Sequence, residues 1–148
     1  MRIICCGNPD RGDDGVGALV AERLRDFGIE AEIHSGEAFD LIESWGGADN
    51  VVLVDAVETG APPGTVRLWD GRRASFPADE SVSTHGLGVL VAIRMARVLD
   101  RLPEQLQVYG IEARRFEHET EISAELKLAV EHVVQQISAA YRLPLNSD

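Results

Sequence analysis

No stretch of the chain is apolar for long enough to cross a membrane as a helix. The opening residues, Met1 to Pro9, have neither the long apolar run nor the small-residue cleavage site of a secretory signal. A cytoplasmic protein without membrane insertion is the expectation. Basic residues are outnumbered: 14 Lys and Arg face 25 Asp and Glu, for a formal net charge of −11. Such a surface repels nucleic acid and anionic lipid, which argues against a nucleic-acid partner. Cysteine is scarce and badly placed for a bridge. The two cysteines are neighbours, Cys5 and Cys6, and successive side chains of a strand point to opposite faces. There is no CxxC spacing, so both read as small apolar residues of a buried strand. Repeats, low-complexity tracts and linker-like stretches are also missing.

What remains is ordinary globular material, 45% hydrophobic and 26% charged over 148 residues. That is enough chain for one domain, 1–148, to bury a full core without disulfide or metal staples. Arg2–Cys6 reads as a central strand ending in the turn signal Gly7-Asn8-Pro9. Val16, Leu19, Val20, Leu24 and Phe27 recur at helical spacing, and Gly28 is a natural stop. Ile29–Ile33 reads as a second strand and Phe39–Trp45 as a short helix. Val51-Val52-Leu53-Val54-Asp55 is the clearest strand; four apolar residues in a row fit burial on both faces, as in a parallel sheet. Thr65–Trp69 reads as an edge strand, Asp70–Ser83 as a long polar loop and Gly86–Leu99 as an apolar helix. Leu106–Ile111 is a last strand. Ser123–Tyr141 is an amphipathic helix with Leu126, Val130, Val133, Val134, Ile137 and Tyr141 on one stripe. Alternating strands and helices imply a three-layer α/β/α sandwich around a mostly parallel sheet of roughly five strands.

In such sheets ligands bind beyond the carboxyl ends of the strands. Asp55 ends its strand there. The loop after the first strand carries Asp13 and Asp14 to the start of a helix, and His85 precedes the helix that begins at Gly86. Two carboxylates and an imidazole suit a divalent metal such as nickel, zinc or iron, and three protein ligands leave room for water or substrate. Each residue also has a structural reading. Asp13 or Asp14 can cap the helix, Asp55 can bond a neighbouring loop, and His85 can be a cap. The glycine-rich first loop has no GxGxxG and no Walker lysine, and its aspartates would repel a pyrophosphate. His34, His118 and His132 read as solvated or hydrogen-bonded side chains, and Glu117–Glu121 as a solvated acidic loop.

The segment Gly7-Asn8-Pro9-Asp10-Arg11-Gly12-Asp13-Asp14-Gly15-Val16-Gly17 resembles the opening motif of the hydrogenase maturation endopeptidases. Val54-Asp55-Ala56 resembles that family's second motif, Ser83-Thr84-His85-Gly86-Leu87-Gly88 its third, and Gly110-Ile111-Glu112 with Ser123 its C-terminal part. The resemblance implies that Asp14, Asp55 and His85 contact nickel and are the candidates for catalysis. It further implies that Asn8, Asp13 and Glu112 hold the substrate. The implied substrate is the large-subunit precursor of a nickel–iron hydrogenase, which loses a C-terminal extension; nickel already loaded in the precursor is the recognition signal. A monomer that meets its precursor transiently is the expectation. Three segments depart from the family pattern: Cys5 in place of a common glycine, His34-Ser35-Gly36-Glu37 without an acidic-then-double-glycine run, and Arg114–Glu119 in place of a glycine- and proline-rich stretch. They spare the three metal-contacting positions and bear on which precursor is processed.

Cleavage needs a water nucleophile and a stabilised carbonyl oxygen. A metal can polarise either, or an aspartate can act as general base. With both cysteines inside a strand and no serine triad, a covalent route is not expected. A non-proteolytic nickel-binding assembly chaperone using the same three residues is the alternative.

Overall fold

The computed structural model describes residues 1–7, 15–73, 87–113 and 122–142. Five strands, β1 (Arg2–Cys6), β2 (Glu32–His34), β3 (Asn50–Val57), β4 (Val66–Asp70) and β5 (Gln105–Glu112), form one sheet in the order β2-β1-β3-β5-β4. The four helices are α1 (Val16–Asp26), α2 (Ala38–Trp45), α3 (Leu87–Val98) and α4 (Ala124–Tyr141). β1, β2, β3 and β5 run parallel, and β4 joins the β5 edge antiparallel.

The layering follows from side-chain alternation. On β3, Val52, Val54 and Ala56 enter a core with residues of α1 and α4, while Val51 and Leu53 enter a second core with residues of α2 and α3. Every residue from Val51 to Val57 is buried, as a strand covered on both faces requires. The expected α/β/α sandwich with a mostly parallel five-stranded sheet is what the chain forms. β4 lies at the sheet edge, as expected, with no residue fully buried. Among the described residues no helix is long and apolar enough to cross a membrane.

Several boundaries differ from the sequence reading. The second strand begins at Glu32 rather than Ile29. Gly28, at φ +78°, donates to the Arg25 carbonyl and Ile29 donates to that of Leu24, a Schellman ending that ties this segment to α1. The Ala31 carbonyl accepts from the Arg25 guanidinium, at 2.6 Å from Nη2, a second tie between this segment and α1. Phe27 and Tyr141 belong to the helical periodicity but are 48% and 42% exposed; Phe27 lies under the Arg23 guanidinium, 5.5 Å from its ring centre. α4 starts on Ser123, whose hydroxyl caps the Leu126 N–H at 3.3 Å. The expected polar loop Asp70–Ser83 begins later than its first residue, since Asp70 ends β4; residues 74–83 of it, His118 and all of Glu117–Glu121 lie outside the described residues.

Candidate active site at the carboxyl edge of the sheet

α1 leaves β1 on one face and α2 leaves β2 on the other. β1 lies between β2 and β3, so the connections diverge at the carboxyl ends of β1 and β3. This is the topological switch point at which open α/β sheets form their ligand crevice. Asp55 lies there. Among the described residues the only polar or charged side chains that are buried are Asp55, 8% exposed, and Glu112, 3% exposed. Both sit at this edge, on neighbouring strands, two positions apart in register: Asp55 pairs with Gly110 and Val57 with Glu112. Burying a carboxylate is costly, and two such costs in one place make this edge the candidate site.

Asp55 faces the α2/α3 side, on the side of the sheet that Leu53 and Cys6 share. Its Oδ1 accepts the Ala56 N–H at 2.8 Å. Burial, and then the charge of Asp55, push the Cys6 thiol well above its usual range. Burial likewise raises Cys5 to about 12, opposed by Arg25 and helped by Asp55. Neither thiol is a nucleophile near neutral pH, in keeping with the sequence expectation.

Two glycines bring helix starts onto this edge. Gly17, in the first turn of α1, lies so close to the end of β1 that a Cβ would overlap the Cys6 carbonyl oxygen. Gly88, in the first turn of α3, meets the Gly36 carbonyl in the same way, and Gly36 itself adopts φ +94°. Gly15 occupies the N-cap position of α1 and offers no side chain, so that position is not filled by an aspartate. Asn8, Asp13, Asp14 and His85 lie outside the described residues. The described chain resumes at Gly15, just after Asp14, and at Leu87, two residues after His85. Among the described residues no group of three or more His, Cys, Asp or Glu side chains is placed to hold a metal. A cavity of about 640 Å³ lined by Met1, Arg2, Arg25, Glu30 and Glu32 opens at the opposite end of β1, away from the two buried carboxylates.

Glu112 is engaged by the chain itself. Its Oε2 accepts the Thr59 N–H at 2.7 Å and the Gly60 N–H at 3.2 Å, and its Oε1 accepts the Thr59 hydroxyl at 2.7 Å. Thr59 carried no signal in the sequence. A threonine in a Gly-Pro-rich loop is unremarked until the fold brings a carboxylate to it across 53 residues. His34 ends β2 beside Glu32, at 3.4 Å, and His132 lies on the polar face of α4 beside Gln136, at 3.1 Å, both as expected of histidines without a role in the site.

A family model described as hydrogenase maturation protease matches residues 33–140, well over half of the chain and including β3, α3 and β5. The chain belongs to the hydrogenase maturation proteases. It is 28% identical over 134 residues to Protein FrxA of Pyrococcus furiosus, covering 88% of this chain and 97% of that protein. It is 24% identical over 150 residues to the hydrogenase expression/formation protein HupD of Thiocapsa roseopersicina, covering 91% of this chain and 68% of that protein. Among solved structures, the [NiFe] hydrogenase maturation protease HybD from Thermococcus kodakarensis superposes with a TM-score of 0.76 at 24% identity, over 95% of this chain and 99% of that one. The maturating endopeptidase HybD from E. coli gives 0.75 at 22% identity, over 96% and 93%. The likeness to these structures establishes the fold, and the family match makes this maturation protease a peptidase.

Proposed function

We propose that this maturation protease removes a C-terminal extension from the large-subunit precursor of a nickel–iron hydrogenase, in the cytoplasm and as a monomer, and that nickel carried by the precursor is its recognition signal. The observation that carries the reading is the buried Asp55 at the switch point, a carboxylate held at low exposure where a ligand enters. Asp14 and His85 join it from the two segments that lead into α1 and α3, completing the nickel shell. The order of the three motifs and the approach of both helix starts to the same edge support this set.

Nickel belongs to the substrate in this scheme. Contact with the metal places the scissile bond in the crevice, and the binding energy distinguishes loaded from empty precursor. Asn8 and Asp13 hold the precursor beside it. The nucleophile is water, activated either by the metal or by one of the two aspartates acting as base.

The test is to incubate the protein with nickel-loaded and nickel-free precursor and follow the precursor mass. Shortening of the loaded form alone is expected. Shortening of both forms at one rate would remove nickel as the signal. Tight binding of the loaded form without any loss of mass would make the protein a nickel-binding assembly chaperone instead.

A further inference from the structure

Among the described residues, the segment that follows β3 is held chiefly by Glu112. Glu112 binds Thr59 and Gly60 through its carboxylate. Through its backbone it accepts from the Gly64 N–H at 2.9 Å and donates to the Thr65 carbonyl at 2.8 Å. The next residue, Ala113, donates to the Val57 carbonyl at 3.0 Å. Both ends of the Thr59–Thr65 turn, with Gly60 and Gly64 at φ +94° and +90°, are therefore fastened to the end of β5. Asp55 lies two residues before Val57 on the same strand, and its carboxylate is bonded to the Ala56 N–H, at 2.8 Å.

We propose that Glu112 is a positioning residue: it fixes the carboxyl end of β3 through the Thr59–Gly60 corner and thereby sets the direction of the Asp55 carboxylate. It acts through the loop, with its own oxygens already occupied by chain donors. Partners of this kind orient the groups that contact a metal or substrate. The proposal rests on Asp55 serving the peptidase reaction described above.

The chemistry of the clamp separates this role from a direct one. A glutamine at 112 keeps a carbonyl oxygen for the Thr59 and Gly60 N–H groups, and its amide donates to the Thr59 hydroxyl, which then accepts. Hydrogen-bonding geometry survives while the charge is lost. An alanine loses both. A carboxylate that met substrate or metal by its charge would fail equally in both variants.

The experiment compares Glu112→Ala, Glu112→Gln, Thr59→Val and Thr59→Ser by the amide resonance of Ala56 and by kcat and KM for nickel-loaded precursor. Glu112→Ala is expected to move the Ala56 resonance and to lower kcat by about 10-fold, with KM changing less than about 2-fold, as expected when only positioning for the transition state is lost. Glu112→Gln recovers most of that loss. Thr59→Val shows the same change in smaller measure, and Thr59→Ser restores it. An Ala56 resonance unmoved in Glu112→Ala, or equal loss of kcat in the alanine and glutamine variants, would overturn the proposal, as would a lowered melting temperature with kcat intact. Wild-type protein that leaves the loaded precursor whole would instead overturn the substrate reading. The Ala56 resonance then decides the positioning role by itself.

Discussion

Asp55 and Glu112 stand at equivalent depth on adjacent strands, yet their oxygens are spent differently. Glu112 takes three donors from the loop that follows β3, while Asp55 accepts the N–H of its own neighbour, Ala56. Asp55 was legible in the sequence because an acid directly after four apolar residues has few reasons to be there. Glu112 stood out only through its match to a family motif, and its hydrogen-bond partners were not legible, because they lie 52 and 53 residues away. The cysteines give a separate prediction at this scale. Cys5 titrates near 12 when folded against an ordinary value of 9.0, so between those values the unfolded chain gives up a proton that the folded chain retains. Stability is unaffected by this group below pH 9 and falls as pH rises toward 12, by about 1.4 kcal/mol per pH unit for the thiol. Urea unfolding from pH 9 to 11 should show a shallower decline for Cys5→Ala than for wild type; parallel declines would contradict the burial of that thiol.

Among the elements, the strands and helices were readable because their apolar periods are regular and their ends carry glycine or serine. β2 starts later than its apolar run because the α1 ending draws Gly28 and Ile29 into bonds with Arg25 and Leu24. The glycines of the first and third motifs acquire a physical purpose from the fold. Gly17 and Gly88 are the points at which a helix start meets backbone with no space for a methyl group. Gly17→Ala and Gly88→Ala should each cost roughly 1–3 kcal/mol by chemical denaturation, the usual range for overpacking. Gly47, where a Cβ meets nothing within 4 Å, should tolerate alanine within about 0.5 kcal/mol. Equal effects at all three positions would mean that the helix starts are not held against the sheet edge. Ser123→Ala should cost about 1 kcal/mol through loss of the α4 cap, measured in the same way.

The two buried carboxylates of the described residues lie at one sheet edge, and the rest of the sheet is enclosed between two apolar layers. That separation explains how one chain can be stable and still hold an acid at low exposure: the sandwich supplies the stability and the edge carries its cost. The net charge of −11 disfavours polyanionic partners on average and is compatible with a metal-bearing protein substrate. The central claim is that Asp55 serves cleavage of nickel-loaded precursor. Its most direct test is the mass of that precursor after incubation with wild type and with Asp55→Asn, the two enzymes matched for melting temperature. Wild type should shorten the precursor, and Asp55→Asn should do so at least about 100-fold more slowly, the scale of losing a group that activates water. Cleavage by Asp55→Asn at the wild-type rate would contradict the claim.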